Sequence, residues 1–67
     1  MTGKGIGKVL QARREAKRLT QEALAKRAKV ARSYLAKLEA GHSKNPSLAV
    51  LQRLAKALDV PVTALLE

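Results

Sequence analysis

The sequence has no cysteine, phenylalanine or tryptophan, and only one tyrosine and one histidine. Without cysteine there is neither a disulfide nor a thiolate metal site. A lone histidine, His42, cannot build an imidazole cluster around zinc, and it reads as a loop residue. A reducing, cytoplasmic setting suits such a chain. No apolar run approaches the roughly 18 residues that a membrane span needs. Met1 to Lys8 holds glycines and lysines but no apolar stretch, so it does not read as a signal peptide. Acid is scarce too: Asp and Glu total 5. These few carboxylates form no acid–base pair, and no nucleophile stands with a base, so neither an enzyme nor a cofactor is expected. With 67 residues there is room for one small domain and none for a second lobe around a deep cleft.

The glycines gather near the start. Gly3-Lys4-Gly5-Ile6-Gly7-Lys8 has the look of a phosphate-binding loop, but the spacing fails. Four residues should separate the first glycine from Gly7-Lys8, which puts that glycine where Thr2 stands, and Val9 replaces the hydroxyl that would hold magnesium. Residues 1–5 read instead as a flexible arm, leaving 6–67 as the folded domain.

Positive charge is abundant. Lys and Arg total 14, giving a net charge of +9 and a pI near 10.8. Twelve of these cations stand at or before Lys44, and only Arg53 and Lys56 follow. Such a balance points to a polyanionic partner. The plainer alternative is a solvated basic surface. A membrane-surface helix is disfavoured, because no helix pairs a polybasic face with aromatic anchors.

Apolar spacing predicts helices throughout and no strand. Helix 1 should run from about Ile6 to Lys17 on Ile6, Val9 and Leu10. Thr20 can cap a short second helix, about Gln21 to Ala28, with Leu24, Ala25 and Ala28 on its apolar face. Lys29-Val30-Ala31 breaks the pattern. A third helix follows at about residues 32–40, with Leu35 and Leu38 inward and Gly41 as its stop. After a polar loop, Ser47 caps a fourth helix, whose core face is Leu48, Leu51, Leu54, Ala55 and Leu58. Pro61 can open a fifth short helix, Val62 to Leu66. Ala25, Ala28 and Ala36 are small enough for helices 2 and 3 to cross closely over a turn of about three residues, the geometry of a helix-turn-helix.

Leu19-Thr20-Gln21-Glu22-Ala23-Leu24-Ala25, then Tyr34-Leu35-Ala36-Lys37-Leu38-Glu39-Ala40-Gly41, resembles the phage repressor/Cro family of helix-turn-helix domains. The likeness continues through Pro46, the leucines of helix 4, and Leu58-Asp59-Val60-Pro61. It implies a compact, all-α, five-helix fold of the lambda-repressor kind, with its third helix in the major groove of double-stranded DNA. Residue by residue, it implies base contacts from Arg32 and Ser33, then Lys37 one turn on, with Ala36 against a thymine methyl. The pattern of the residues agrees, since these four lie opposite Leu35 and Leu38. An arginine fork also suits the two acceptors of guanine. The competing reading of Arg32 is a phosphate contact or a solvated side chain. Ser33 could simply be a serine of a first helical turn.

The same likeness implies that Gln21 binds phosphate and braces the recognition helix, and that Lys44 and Asn45 lie along the backbone, with Ser47 near another phosphate. Tyr34 reads as a phosphate contact or as packing against the turn. Lys17 and Arg18 are placed to reach phosphates. Arg14 is expected to pair with Glu39, tying the recognition helix to the scaffold. Three departures stand out: Lys29 replaces the usual glycine of the turn, Ala31 replaces the usual capping Ser or Thr, and the core lacks Phe and Trp. The expected function is transcriptional regulation, foremost repression, by a dimer on a palindromic operator. The alternative is a protein-interaction module, such as the DNA-binding antitoxin of a toxin–antitoxin pair, with its protein partner unspecified.

Overall fold

The structure is a computed structural model and describes residues 4–42 and 46–66. The elements are α1 (Lys4–Ala16), α2 (Gln21–Ala28), α3 (Arg32–Glu39), α4 (Leu48–Ala57) and a final 3-10 turn (Val62–Leu65). No strand occurs among the described residues. The expected fifth α-helix is therefore one 3-10 turn. Pro61 fixes its entry, and with four residues it closes through i to i+3 bonds, Ala64 N–H to the Pro61 carbonyl (2.9 Å) and Leu66 N–H to that of Thr63 (3.1 Å).

The expected arm needs a second correction. The helix starts at Lys4 rather than Ile6 and stops at Ala16 rather than Lys17. Only residues 1–3 of the proposed arm lie outside the described residues. Gly5 and Gly7, poor helix formers, are carried into α1 because Gly7 is buried against α3. Tertiary packing overrides propensity here.

All four helices end alike. The chain swings into left-handed backbone at Arg18 (φ 57°), Lys29 (φ 60°), Gly41 (φ 83°) and Asp59 (φ 58°). The next N–H then reaches back over the last turn: Leu19 to the Arg14 carbonyl (3.1 Å), Val30 to Ala25 (3.0 Å), His42 to Lys37 (2.9 Å) and Val60 to Ala55 (3.0 Å). This ending presses the following apolar residue onto the helix, and Leu19, Val30 and Val60 all pack against the core. Gly41 alone adopts the conformation without a Cβ penalty.

The core is leucine. Leu10, Leu24, Leu35, Leu38, Leu54, Leu58 and Leu65 are fully buried, so every element contributes. Each is worth about 1.5–3 kcal/mol on burial. Net stability for a chain of this size is only about 3–10 kcal/mol, so none is dispensable. α3 packs on α1 and α2, while α4 packs on α2 and the 3-10 turn. That order leaves the outer face of α3 uncovered.

Candidate nucleic-acid interface

The interface is built around α2, a three-residue turn and α3. Thr20 opens α2, its Oγ1 accepting the Ala23 N–H at 3.0 Å. Lys29 closes it in left-handed backbone, its N–H bonded to the carbonyls of Ala25 and Lys26. Ala31 then precedes α3 in extended backbone (φ −69°, ψ 140°) and supplies no capping side chain. The first-turn N–H groups of α3 therefore keep their partial positive charge for an outside acceptor.

Along α3 the two faces separate cleanly. Leu35 and Leu38 are fully buried. Arg32, Ser33 and Lys37 are exposed and Ala36 is half-buried. Tyr34 is half-buried and packs against the core.

The far end of α3 is clamped. Arg14 Nε donates to Glu39 Oε2 at 2.7 Å, and Nη2 donates to Oε1 at 3.0 Å. Gln21 Nε2 donates to the same Oε1 at 3.0 Å. Arg14 Nη1 also donates to the Leu19 carbonyl at 2.7 Å, fixing the α1–α2 loop. The side chains of Arg14 and Glu39 are only 11% and 4% exposed, so solvent screens this fork weakly. The hydrogen bond to Glu39 raises the Arg14 guanidinium above its ordinary value, against the opposing pull of burial, and the charges of Glu39 and Glu15 raise it further. A raised cation adds stability that is complete below the ordinary arginine range and is lost only as pH climbs through it. The clamp thus holds across neutral pH.

The remaining sites are less uniform. Ser47 caps α4, its Oγ accepting the Val50 N–H at 3.2 Å. Its own hydroxyl proton is left for another acceptor. Leu48, next to it and expected on the core face, is instead 59% exposed, because it opens the first turn of α4, whose buried residues begin at Leu51. Arg18 is exposed in the α1–α2 loop. Lys17 Nζ lies 3.2 Å from Asp59 Oδ2, beyond the end of α4, a pairing across 42 positions that no sequence spacing signals. Lys44 and Asn45 lie outside the described residues. No cluster of metal ligands occurs among the described residues, and none of their helices is long and apolar enough to cross a membrane.

The chain matches the family model described as helix-turn-helix over residues 10–65. It is 42% identical over 60 residues to the immunity repressor protein of Bacillus phage phi105, covering 90% of this chain and 41% of that protein. The chain thus spans well under half the length of that curated relative. Among solved structures, it is similar to the restriction-modification controller protein C.AhdI from Aeromonas hydrophila (39% identity, TM-score 0.87, 91% of each chain). It is also similar to SinR. The match to the N-terminal DNA-binding domain from Bacillus subtilis has 36% identity and TM-score 0.91, covering 96% and 93% of the two chains. The match to SinR in complex with DNA, where SinR is described as the master regulator for biofilm formation, has 37% identity and TM-score 0.90, covering 92% and 98%.

Proposed function

This chain belongs to the helix-turn-helix family, and we propose that it binds double-stranded DNA sequence-specifically and represses transcription. The observation that carries this reading is α3 itself. Its outer face bears Arg32, Ser33 and Lys37 in solvent, while its inner face and its far end are locked by leucines and by the Arg14–Glu39–Gln21 clamp. A rigid helix with a polar, cationic outer face fits the major groove, about 12 Å wide.

In this reading Arg32 donates its fork to one base edge, foremost guanine. Ser33 and Lys37 read neighbouring edges, and Ala36 meets a thymine methyl. Arg18, Gln21, Lys44, Asn45 and Ser47 serve the phosphates, with Tyr34 at the border between packing and contact. Gln21 supports its share with the spare amide hydrogen left after bonding Glu39. Lys17 would first have to leave Asp59. Two copies take adjacent half-sites, about 34 Å apart, so that the site is palindromic.

Selection of bound duplexes from a random pool tests the reading. The expected result is a recurrent, two-fold symmetric motif. Recovered duplexes no more alike than the starting pool would overturn it.

A further inference from the structure

The two cations that follow Lys44, Arg53 and Lys56, lie one helical turn apart on α4. They meet Arg27 and Lys29, from the end of α2, around one concave site of about 450 Å³ floored by Ala28 and Ala57. All four cations are exposed, and no ion pair among the described residues engages any of them. The one acid on the rim, Asp59, is already paired with Lys17 at 3.2 Å. Like charges converging on a concave wall focus a positive potential that an anion would relieve.

The site lies away from the proposed reading face. α2 packs on both α3 and α4, and none of the residues lining the groove belongs to α3. A duplex seated on α3 would leave this flank open. A small anion would find only exposed, solvated side chains here, and such single ion pairs are weak. Several carboxylates on one chain act together, because the first contact raises the local concentration of the next.

We propose that this groove receives an acidic segment of a partner protein. Its carboxylates meet Arg27, Lys29, Arg53 and Lys56, and its aliphatic stems lie on the half-buried Ala57. The inference does not rest on the DNA reading, and its main test contains no DNA.

The probe is a labelled peptide of alternating glutamate and alanine, titrated into the isotopically labelled chain and followed by amide shifts and fluorescence anisotropy. Shifts should centre on residues 27–29 and 53–57. Charge reversal by Arg53→Glu with Lys56→Glu should weaken the peptide at least about tenfold, two attractions having become repulsions. Lys8→Glu with Arg13→Glu, the same change of net charge on the exposed face of α1, should weaken it no more than about twofold, the screened long-range share. Three results overturn the proposal: no binding, equal losses from the two double variants, or shifts centred on Arg32 to Lys37. In a separate arm, Arg53→Glu with Lys56→Glu should retain the selected duplex. Equal loss on duplex and peptide would make this flank part of the DNA footprint and overturn the proposal as well.

Discussion

Gly7 of α1 lies directly under the carbonyl of Leu38 in α3, so close that a methyl group there would collide with it and would stand only 3.0 Å from the Glu39 carbonyl. The obstacles are backbone atoms, which cannot swing aside as a side chain would. Gly7→Ala should therefore lose stability by about 1–3 kcal/mol through overpacking, although alanine is the better helix former. Thermal melting decides it. A variant that melts with the parent would show that α1 can shift away from α3 without cost.

The Arg14–Glu39 clamp makes a second prediction. In Arg14→Ala, a carboxylate 4% exposed keeps only Gln21 as partner. Breaking a buried pair from one side costs about 3–5 kcal/mol, and the remaining amide places the expected loss near the lower end. Arg14→Lys restores the charge but not the fork, so it should recover only part of the loss. Urea unfolding of the two variants checks both magnitude and order, and equal stability of Arg14→Ala and the parent would remove the clamp from the fold's supports.

Lys29 sits in left-handed backbone at φ 60° and Ala31 leaves α3 uncapped. Both are improvable. Lys29→Gly should gain about 1 kcal/mol by relieving the Cβ, and Ala31→Ser about 0.5–1 kcal/mol by supplying a cap. A drop in melting temperature for either would mean that the native side chain makes a stabilising contact.

Reading and holding separate in one experiment. Arg32→Ala should weaken the selected duplex by about 1–3 kcal/mol, far more than random DNA, and relax preference at one base pair per half-site. Lys44→Ala should weaken both equally and make the salt slope shallower by about one per protomer. Equal losses on both duplexes for Arg32→Ala would assign Arg32 to phosphate and pass the reading role to Ser33 and Lys37.

Much of this architecture was legible in the residues because local rules and packing agree. The spacing of Leu24, Ala25 and Ala28 and of Leu35 and Leu38, with Thr20, Ser47 and Gly41 as caps, placed α2, α3 and α4 within a residue of their observed bounds. The Arg14–Glu39 pair was reached through family likeness, since spacing alone says nothing about residues 25 apart. What was missed has a physical cause in each case. The start of α1 was hidden because Gly5 and Gly7 signal a loop by propensity, while burial against α3 decides otherwise. The left-handed endings at Arg18 and Asp59 were hidden because glycine is the residue that marks such a site, and neither position has one. The apolar residues that follow, Leu19 and Val60, were the available signal.

α3 has eight residues, a helix about 12 Å long at 1.5 Å per residue. At about 3.4 Å per base pair, that length runs beside only about four pairs of a duplex. A four-pair word recurs about once in every 256 steps of random sequence, too often to mark one locus among the about 10⁶ or more competing positions of a genome. Under the proposed reading, two such helices would cover about eight pairs and lower the chance to about one in 65,000, so the brevity of α3 would make addressability a property of paired copies on DNA, and of spacing between them, rather than of any one fold unit.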